Sequence, residues 1–232
     1  PLFMYVFISM LLGMRFGEVF FYSWDNYQDN LWQIILPFRR QEGAAMIFGL
    51  IEGWKFTGIS GFASHGAAIG IPIAMYFYAK KHLQKPWLFI LDRLGIMVAL
   101  AGFFIRFGNF FNSEMIGKPA DEDLPWAIIF KSFDEVPRHP GQLYEAFGYI
   151  FVFLILWFVY SKTNLKDRTG FLFGLFLVLL WTIRFFVEYV KEPQGDEYIN
   201  WFGFNTGQWL SIPFIIIGLY FMFVYKPKAE VK

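Results

Sequence analysis

Six apolar runs, at residues 1–21, 61–79, 88–105, 142–160, 170–187 and 207–225, divide this 232-residue chain into hydrophobic stretches joined by polar ones. Crossing about 30 Å of hydrocarbon takes about 20 mostly apolar residues at 1.5 Å rise each. Each run comes close to that length. A single span in lipid must satisfy its own backbone hydrogen bonds, which makes it a helix. The runs lack the alternating pattern of about ten residues that a barrel strand would show. The expected fold class is therefore an all-α polytopic membrane protein with about six transmembrane helices and polar loops. Residues 1–232 form one expected domain, with no internal repeat and no low-complexity linker. Composition agrees: 56% of residues are hydrophobic and only 17% are charged, where a soluble domain carries about a quarter charged. A soluble enzyme is excluded on that ground. The absence of cysteine excludes disulfides, thiolate metal sites and a cysteine nucleophile from this chain. A formal charge of +1 gives no nucleic-acid signal.

Charge orients the spans. Loops 80–87 and 161–169 with the tail 226–232 hold nine Lys/Arg against two acids, Asp167 and Glu230. The opposite set, 22–60, 106–141 and 188–206, holds eight Lys/Arg against fourteen Asp/Glu. Short basic loops stay in the cytoplasm, so both termini are expected inside and three longer acidic loops outside. Pro1 is not an initiator Met, and the first run lacks the basic n-region of a signal peptide; a missing upstream segment is expected.

Ionisable groups in or beside a span are costly and tend to pair, snorkel or face a cavity. Arg106, Asn109 and Ser113 follow the third run at i, i+3 and i+7, the spacing of one helical face. A guanidinium fork with an amide and a hydroxyl at the interface suits a phosphate head group. It equally fits an ordinary helix end with a snorkelling arginine. His65, in Ser64-His65-Gly66, could act as a general base, although a lone interfacial histidine is more often structural. Arg184 and Glu188 stand at i, i+4. Alone they read as a surface ion pair, yet they bring a second arginine to the level of Arg106. The segment Pro137-Arg138-His139-Pro140-Gly141-Gln142-Leu143-Tyr144-Glu145 leads into the fourth run. Capping does not account for a glutamate followed by so long an apolar stretch. Arg15 and Glu18 are expected to neutralise each other within the first run. The other groups share the outer side, and that convergence favours function.

These residues resemble the prolipoprotein diacylglyceryl transferase family over nearly the whole chain, about residues 13–225. The most specific stretch is Arg106-Phe-Gly-Asn109-Phe-Phe-Asn112-Ser-Glu114-Met-Ile-Gly117, similar to G-R-x-G-N-F-x-N-x-E-x-x-G with Ile105 in place of the first glycine. Ser64-His65-Gly66 resembles F-H-G, and Arg138-His-Pro-Gly-Gln-Leu-Tyr-Glu145 resembles R-H-P-S-Q-L-Y-E. Arg184-Phe-Phe-Val-Glu188-Tyr-Val-Lys191-Glu-Pro193 resembles R-F-x-x-E-x-x-R-x-P, and Gly207-Gln-Trp-Leu-Ser-Ile-Pro213 resembles G-Q-x-L-S-I-P. Departures are visible. The family usually has seven spans, and the first, with a functional tyrosine, is not present here. Its R-x-G-Y stands as Arg15-Phe-Gly-Glu18, a usual tyrosine stands as Leu180, and the stretch 43–58 is wider than its counterpart.

The resemblance implies transfer of an sn-1,2-diacylglyceryl group from phosphatidylglycerol to the lipobox cysteine of a prolipoprotein, forming a thioether and releasing glycerol 1-phosphate. It implies a multi-pass protein of the bacterial inner membrane with its active face periplasmic and its C-terminus cytoplasmic. On this reading Arg106 holds the lipid phosphate, and Asn109, Asn112, Glu114 and Gly117 line the head-group site. Arg184, oriented by Glu188, stabilises leaving-group charge. His65 is the candidate base; if it instead positions lipid, an arginine field or a glutamate lowers the thiol pKa. Arg138, His139, Gln142, Tyr144 and Glu145 stand behind these groups. The expected partners are phosphatidylglycerol and the lipobox peptide, with no nucleic acid. No metal or soluble cofactor is expected, because no His/Asp/Glu cluster has ligand spacing. A transporter or channel would more often show repeated halves with broken midplane helices, and a CDP-alcohol-type transferase would need a D-G-x-x-A-R motif. A non-catalytic lipid-binding subunit is the other alternative.

Overall fold

The computed structural model describes residues 1–28, 31–36, 38–46, 51–56, 61, 63–83, 85–121, 123–192 and 202–226. Gly58, Pro193 and the tail 227–232, used in the readings above, lie outside the described residues. The expected apolar runs all appear as helices: α1 Leu2–Tyr22, α2 Ser64–His82, α3 Trp87–Phe111, α4 Gly141–Lys162, α5 Phe171–Val187 and α6 Thr206–Leu219, the last continuing as a π-turn over Tyr220–Val224. Four of the six are long and apolar enough to cross a membrane: Leu2–Tyr22, Trp87–Phe111, Gly141–Lys162 and Thr206–Val224. Two fall short of the expectation for physical reasons. Helix α2 spends its last turn on Lys80, Lys81 and His82. Helix α5 has 17 residues, about 26 Å of rise, a length that local thinning of the bilayer can accommodate.

Small hairpins qualify the all-helical expectation. In the first unit β1, Phe38–Met46, pairs antiparallel with β2, Ile51–Phe56. In the second, β3, Ile128–Ile129, pairs with β4, Pro137–Arg138. Both lie in the longer polar connections, where water or protein can satisfy backbone that lipid could not.

Two compact units make up the chain, Pro1–Tyr78 and Ala79–Lys232. In the first, α1 crosses α2 at a point where both backbones must come close. A Cβ on Gly66 would run into the Gly13 carbonyl oxygen and lie 2.8 Å from the Gly17 Cα. Small residues allow such approach in membrane helix pairs. Arg15 takes a different course from the expected pairing with Glu18. Its Nε donates to the Ile34 carbonyl (2.8 Å) and its Nη2 to the Tyr27 hydroxyl (3.1 Å). Glu18 accepts from Ser23 Oγ at 3.0 Å. Residues after α1 thus supply the acceptors that a buried guanidinium needs.

In the second unit α3, α4 and α5 pack mutually, and α6 packs on α5. Helix α4 shows how sequence selects the inner face. Gln142, Glu145, Ala146, Tyr149, Val152 and Leu156 recur at spacings of three and four and are buried. Phe147, Phe151, Leu154 and Phe158 form an exposed apolar stripe, the arrangement expected when lipid is the solvent. At the beginning of α5, Gly170 adopts φ 92° and offers no side-chain cap. Asp92 of α3 supplies one instead, accepting from Gly170 N at 2.7 Å and Phe173 N at 2.8 Å while 1% exposed. Replacing Asp92 with alanine removes a carboxylate from two backbone donors and should cost about 1–3 kcal/mol. Thermal unfolding of the detergent-solubilised protein would reveal it, and Asp92→Asn should lose less.

Candidate active site

The site grows from the ends of three helices in the second unit. Arg106 lies in the last turns of α3, Glu145 in the first turns of α4 and Arg184 near the end of α5. Successive helices run in opposite directions here, so these positions come to one end of the bundle. Arg106 Nε lies 2.7 Å from Glu145 Oε2, and Arg184 Nη1 lies 3.7 Å from Glu145 Oε1. Tyr149, one turn along α4, donates to Glu145 Oε1 at 3.4 Å. Glu145 is 1% exposed. A carboxylate so far from water needs paired charge around it, and two guanidiniums from separate helices provide it. The Arg106 contact is short but off-line, leaving Oε2 with no hydrogen-bond donor among the described residues. Glu145 was expected behind the site; the structure places it between the two arginines.

The end of α3 carries the head-group motif, with one change from the expected face. The helix stops at Phe111, and Ser113 and Met115 take left-handed backbone with φ 53° and 57°. Ser113 therefore leaves the face that Arg106 and Asn109 share. Arg106 Nη1 donates to Asn109 Oδ1 at 3.5 Å, and Asn109 Nδ2 donates to Glu114 Oε2 at 2.7 Å. Gln142 Nε2 donates to the Glu114 carbonyl oxygen at 2.6 Å, while its fully buried Oε1 has no partner among the described residues. The turn after α3 thus folds Glu114 back toward Asn109 and rests on the start of α4. Asn112 is exposed in that turn.

Beyond it the loop is stitched on both sides. Gly117 N donates to the His139 carbonyl at 3.0 Å, and Lys118 N donates to the Val190 carbonyl at 2.8 Å. A Cβ on Gly117 would collide with the His139 carbonyl oxygen and lie 2.8 Å from that of Val190. Only glycine fits at this crossing of three strands of chain. Arg138 locks the same region: its guanidinium reaches the Gly117 carbonyl at 3.0 Å, Glu192 at 3.0 Å and Asp134 at 2.6 Å. Hydrogen bonding to Arg138 holds the Asp134 carboxyl below its ordinary range, and Asp134 in turn raises Arg138. A depressed carboxyl contributes stability above its unfolded pKa and loses it as pH falls through the folded value. The clamp should therefore hold at about pH 4 and loosen below it, which hydrogen exchange at Gly117 and Lys118 can follow. Nearby, Tyr144 Oη accepts from Trp126 Nε1 at 2.8 Å and lies 3.2 Å from His139 Nδ1.

Glu188 and Lys191 widen the pairing expected from the i, i+4 pattern. Arg184 is tied to Glu145, and Glu188 Oε2 lies 4.0 Å from Lys191 Nζ. Lys191 stands at i+7 from Arg184, at the second basic position of the motif R-F-x-x-E-x-x-R-x-P, and the sequence reading assigns it no role. Burial, the largest effect, holds its ammonium below the ordinary lysine range. His65 belongs to the first unit. It is 1% exposed at the start of α2, with Nδ1 3.5 Å from the Tyr22 hydroxyl. Among the described residues no group of three or more His, Asp or Glu is placed to hold a metal ion.

Comparison with known proteins adds the chemistry. A family model described as prolipoprotein diacylglyceryl transferase matches residues 1–224. A Bacteroides fragilis protein named phosphatidylglycerol–prolipoprotein diacylglyceryl transferase is 43% identical over 232 residues, covering 100% of this chain and 79% of its own length. Proteins of the same name from Tolumonas auensis and Porphyromonas gingivalis are 37% and 35% identical, covering 97% and 93% of this chain and 79% and 73% of their own lengths.

Proposed function

This chain belongs to the prolipoprotein diacylglyceryl transferase family, and we propose that it moves the diacylglyceryl group of phosphatidylglycerol onto the lipobox cysteine of a prolipoprotein. The observation that carries the reading is the pair of arginines, Arg106 and Arg184, held beside one buried carboxylate. In the reaction the cysteine sulfur attacks the glycerol carbon that bears the phosphate. A carbon–sulfur bond forms, the carbon–oxygen bond breaks, and glycerol 1-phosphate leaves with the electron pair. The phosphodiester begins with one negative charge and departs as a monoester with more. Groups that bind the growing charge more tightly than the starting charge lower the barrier. Fixed guanidiniums in a water-poor site do so without reorganising.

Each residue has a part in this proposal. Arg106 holds the phosphate, braced by Asn109, which Glu114 fixes in turn. Arg184 meets the charge on the leaving oxygen, with Glu145 and Glu188 orienting the cations. Gly117, Arg138, His139, Gln142 and Tyr144 keep the loop after α3 in place, and Asn112 contacts the exposed head group. His65 accepts the thiol proton, since a thiol with a pKa of about 8.5 is mostly protonated at neutral pH. The arginine end faces the periplasmic side of the inner membrane, with the basic loops and the C-terminus in the cytoplasm, as the positive-inside bias supports.

The deciding experiment is mass spectrometry of a lipobox peptide incubated with this protein and phosphatidylglycerol. A mass gain of one diacylglyceryl unit on the cysteine supports the proposal; an unmodified peptide overturns it. His65→Gln should lower kcat/KM by about 10²-fold near neutral pH. The loss should shrink in alkaline buffer, where the thiol ionises unaided. A deficit independent of pH would remove the base role.

A further inference from the structure

The end of the second unit opposite Arg106 and Arg184 carries another gathering of cations, and the reaction proposed above uses none of them. Lys85 lies just before α3, Arg93 in the early turns of α3, and Lys166 in the short 3₁₀ turn Asn164–Asp167 after α4. Two half-buried rings, Phe89 and Tyr160, hold them together. Arg93 Cζ stands 3.5 Å from the centre of the Phe89 ring and 5.9 Å from that of Tyr160. Lys85 Nζ is 4.3 Å from the Phe89 centre, and Lys166 Nζ is 5.9 Å from the Tyr160 centre. All four distances fall within the reach of a cation–π attraction. Among the described residues no carboxylate forms an ion pair with any of the three. Asp92 acts on Arg93 through space, but its oxygens are turned to the backbone of α5. Arg93 Nη1 donates to the Phe89 carbonyl at 2.8 Å, one bond from a group that carries five N–H donors.

Long cationic side chains at a membrane surface ordinarily reach into water independently of one another. Seated on shared rings, these three have less freedom to lose when an anion arrives. The apolar surface beside them indicates what carries that anion. Tyr160 packs on Trp157 with ring centres 6.2 Å apart, and Trp157 and Phe158 are exposed. Both continue the exposed stripe of Phe147, Phe151 and Leu154 along α4. An acyl chain lying on that stripe would bring its phosphate to Arg93 and Lys166.

We propose that Lys85, Arg93 and Lys166 form a site for the phosphate head group of an anionic phospholipid in the leaflet at this end, the cytoplasmic one on the proposed orientation. Basic pockets between spanning helices on that side suit such head groups. The bound lipid bridges the start of α3 to the end of α4 and stabilises the folded unit by mass action. The site does not depend on the transfer reaction.

The test measures binding of phosphatidylserine, with zwitterionic phosphatidylcholine as reference, to the full chain in mixed micelles by native mass spectrometry. Phosphatidylserine is anionic and is not the proposed diacylglyceryl donor. The double variant Lys85→Gln/Lys166→Gln should bind it about tenfold or more weakly than wild type, at about 1 kcal/mol for each basic residue near a membrane surface. Phosphatidylcholine binding should not change. The control Lys81→Gln/Lys226→Gln removes two exposed lysines of the same basic side that sit on no ring among the described residues. It should lose less than about threefold, as expected for loosely placed charge. Equal losses in the two double variants would mean a diffuse positive surface and overturn the site. Arg93→Gln should weaken binding as much as the ring-seated lysine pair does. If it fails to fold for want of its bond to Phe89, the exposed lysine pair still decides. Glycerol 3-phosphate at millimolar concentration carries a head-group phosphate without tails and should leave the bound lipid in place. Its displacement of phosphatidylserine would assign the cluster to a soluble phosphate and overturn the lipid proposal.

Discussion

Arg106→Ala should reduce diacylglyceryl transfer by about 10³-fold or more in kcat/KM, close to abolishing it. Removal of one preorganised donor to developing charge costs about 10²–10³ in rate, and this substitution removes more than a donor. Arg106 Nε lies 2.7 Å from Glu145, closer than Arg184 at 3.7 Å. Without Arg106 the buried carboxylate is left beside the proposed phosphate site, where it would repel the anion. Arg106→Lys keeps the charge but loses the planar fork that reaches Glu145 and Asn109 together, so it should recover only a small part of the rate. Turnover on a lipobox peptide, with the unfolding temperature measured in parallel, separates lost chemistry from lost fold. Retention of a tenth of wild-type kcat/KM by Arg106→Ala would contradict the phosphate role.

Glu145→Ala should be the most damaging change to the fold of the second unit. Breaking a buried ion pair by removing one partner typically costs about 3–5 kcal/mol, because the other charge stays buried and uncompensated. Here Arg106, Arg184 and Lys191 all lose the anion that joins them, and Tyr149 loses its acceptor. Glu145→Gln keeps the shape and an acceptor for Tyr149 but not the charge, and should fall between wild type and alanine. Pairing Glu145→Ala with Arg106→Met in a double-mutant cycle should recover part of the stability, since the second change removes one of the stranded charges. Additive losses would mean that the two side chains do not depend on each other. Both variants should be inactive in transfer.

Much of this is legible in the sequence. All six apolar runs became helices because length and hydropathy act within a single segment. Arg106, Asn109 and Glu114 are close in sequence, so one helix end sufficed to group them. Glu145 was harder. Its position at the head of a long apolar stretch marked it as unusual, but only the packing of α3, α4 and α5 shows which charges it serves. Asp92 gives no local signal for the same reason: its partners, Gly170 and Phe173, are backbone groups far along the chain. Arg15 shows how a local rule misleads. Spacing favoured Glu18, yet the guanidinium reaches Tyr27 and the Ile34 carbonyl in the following loop. Ser113 was placed on a helical face by periodicity, and the helix ends two residues earlier.

The Asp92 cap also bears on how a two-tailed lipid reaches the arginines. Helices α3 and α5 are fastened at one end by Asp92 and at the other through Glu145, both carboxylates 1% exposed. Prising them apart would strand two buried anions in a single movement. On the proposed function, that seam is therefore a poor route for acyl tails.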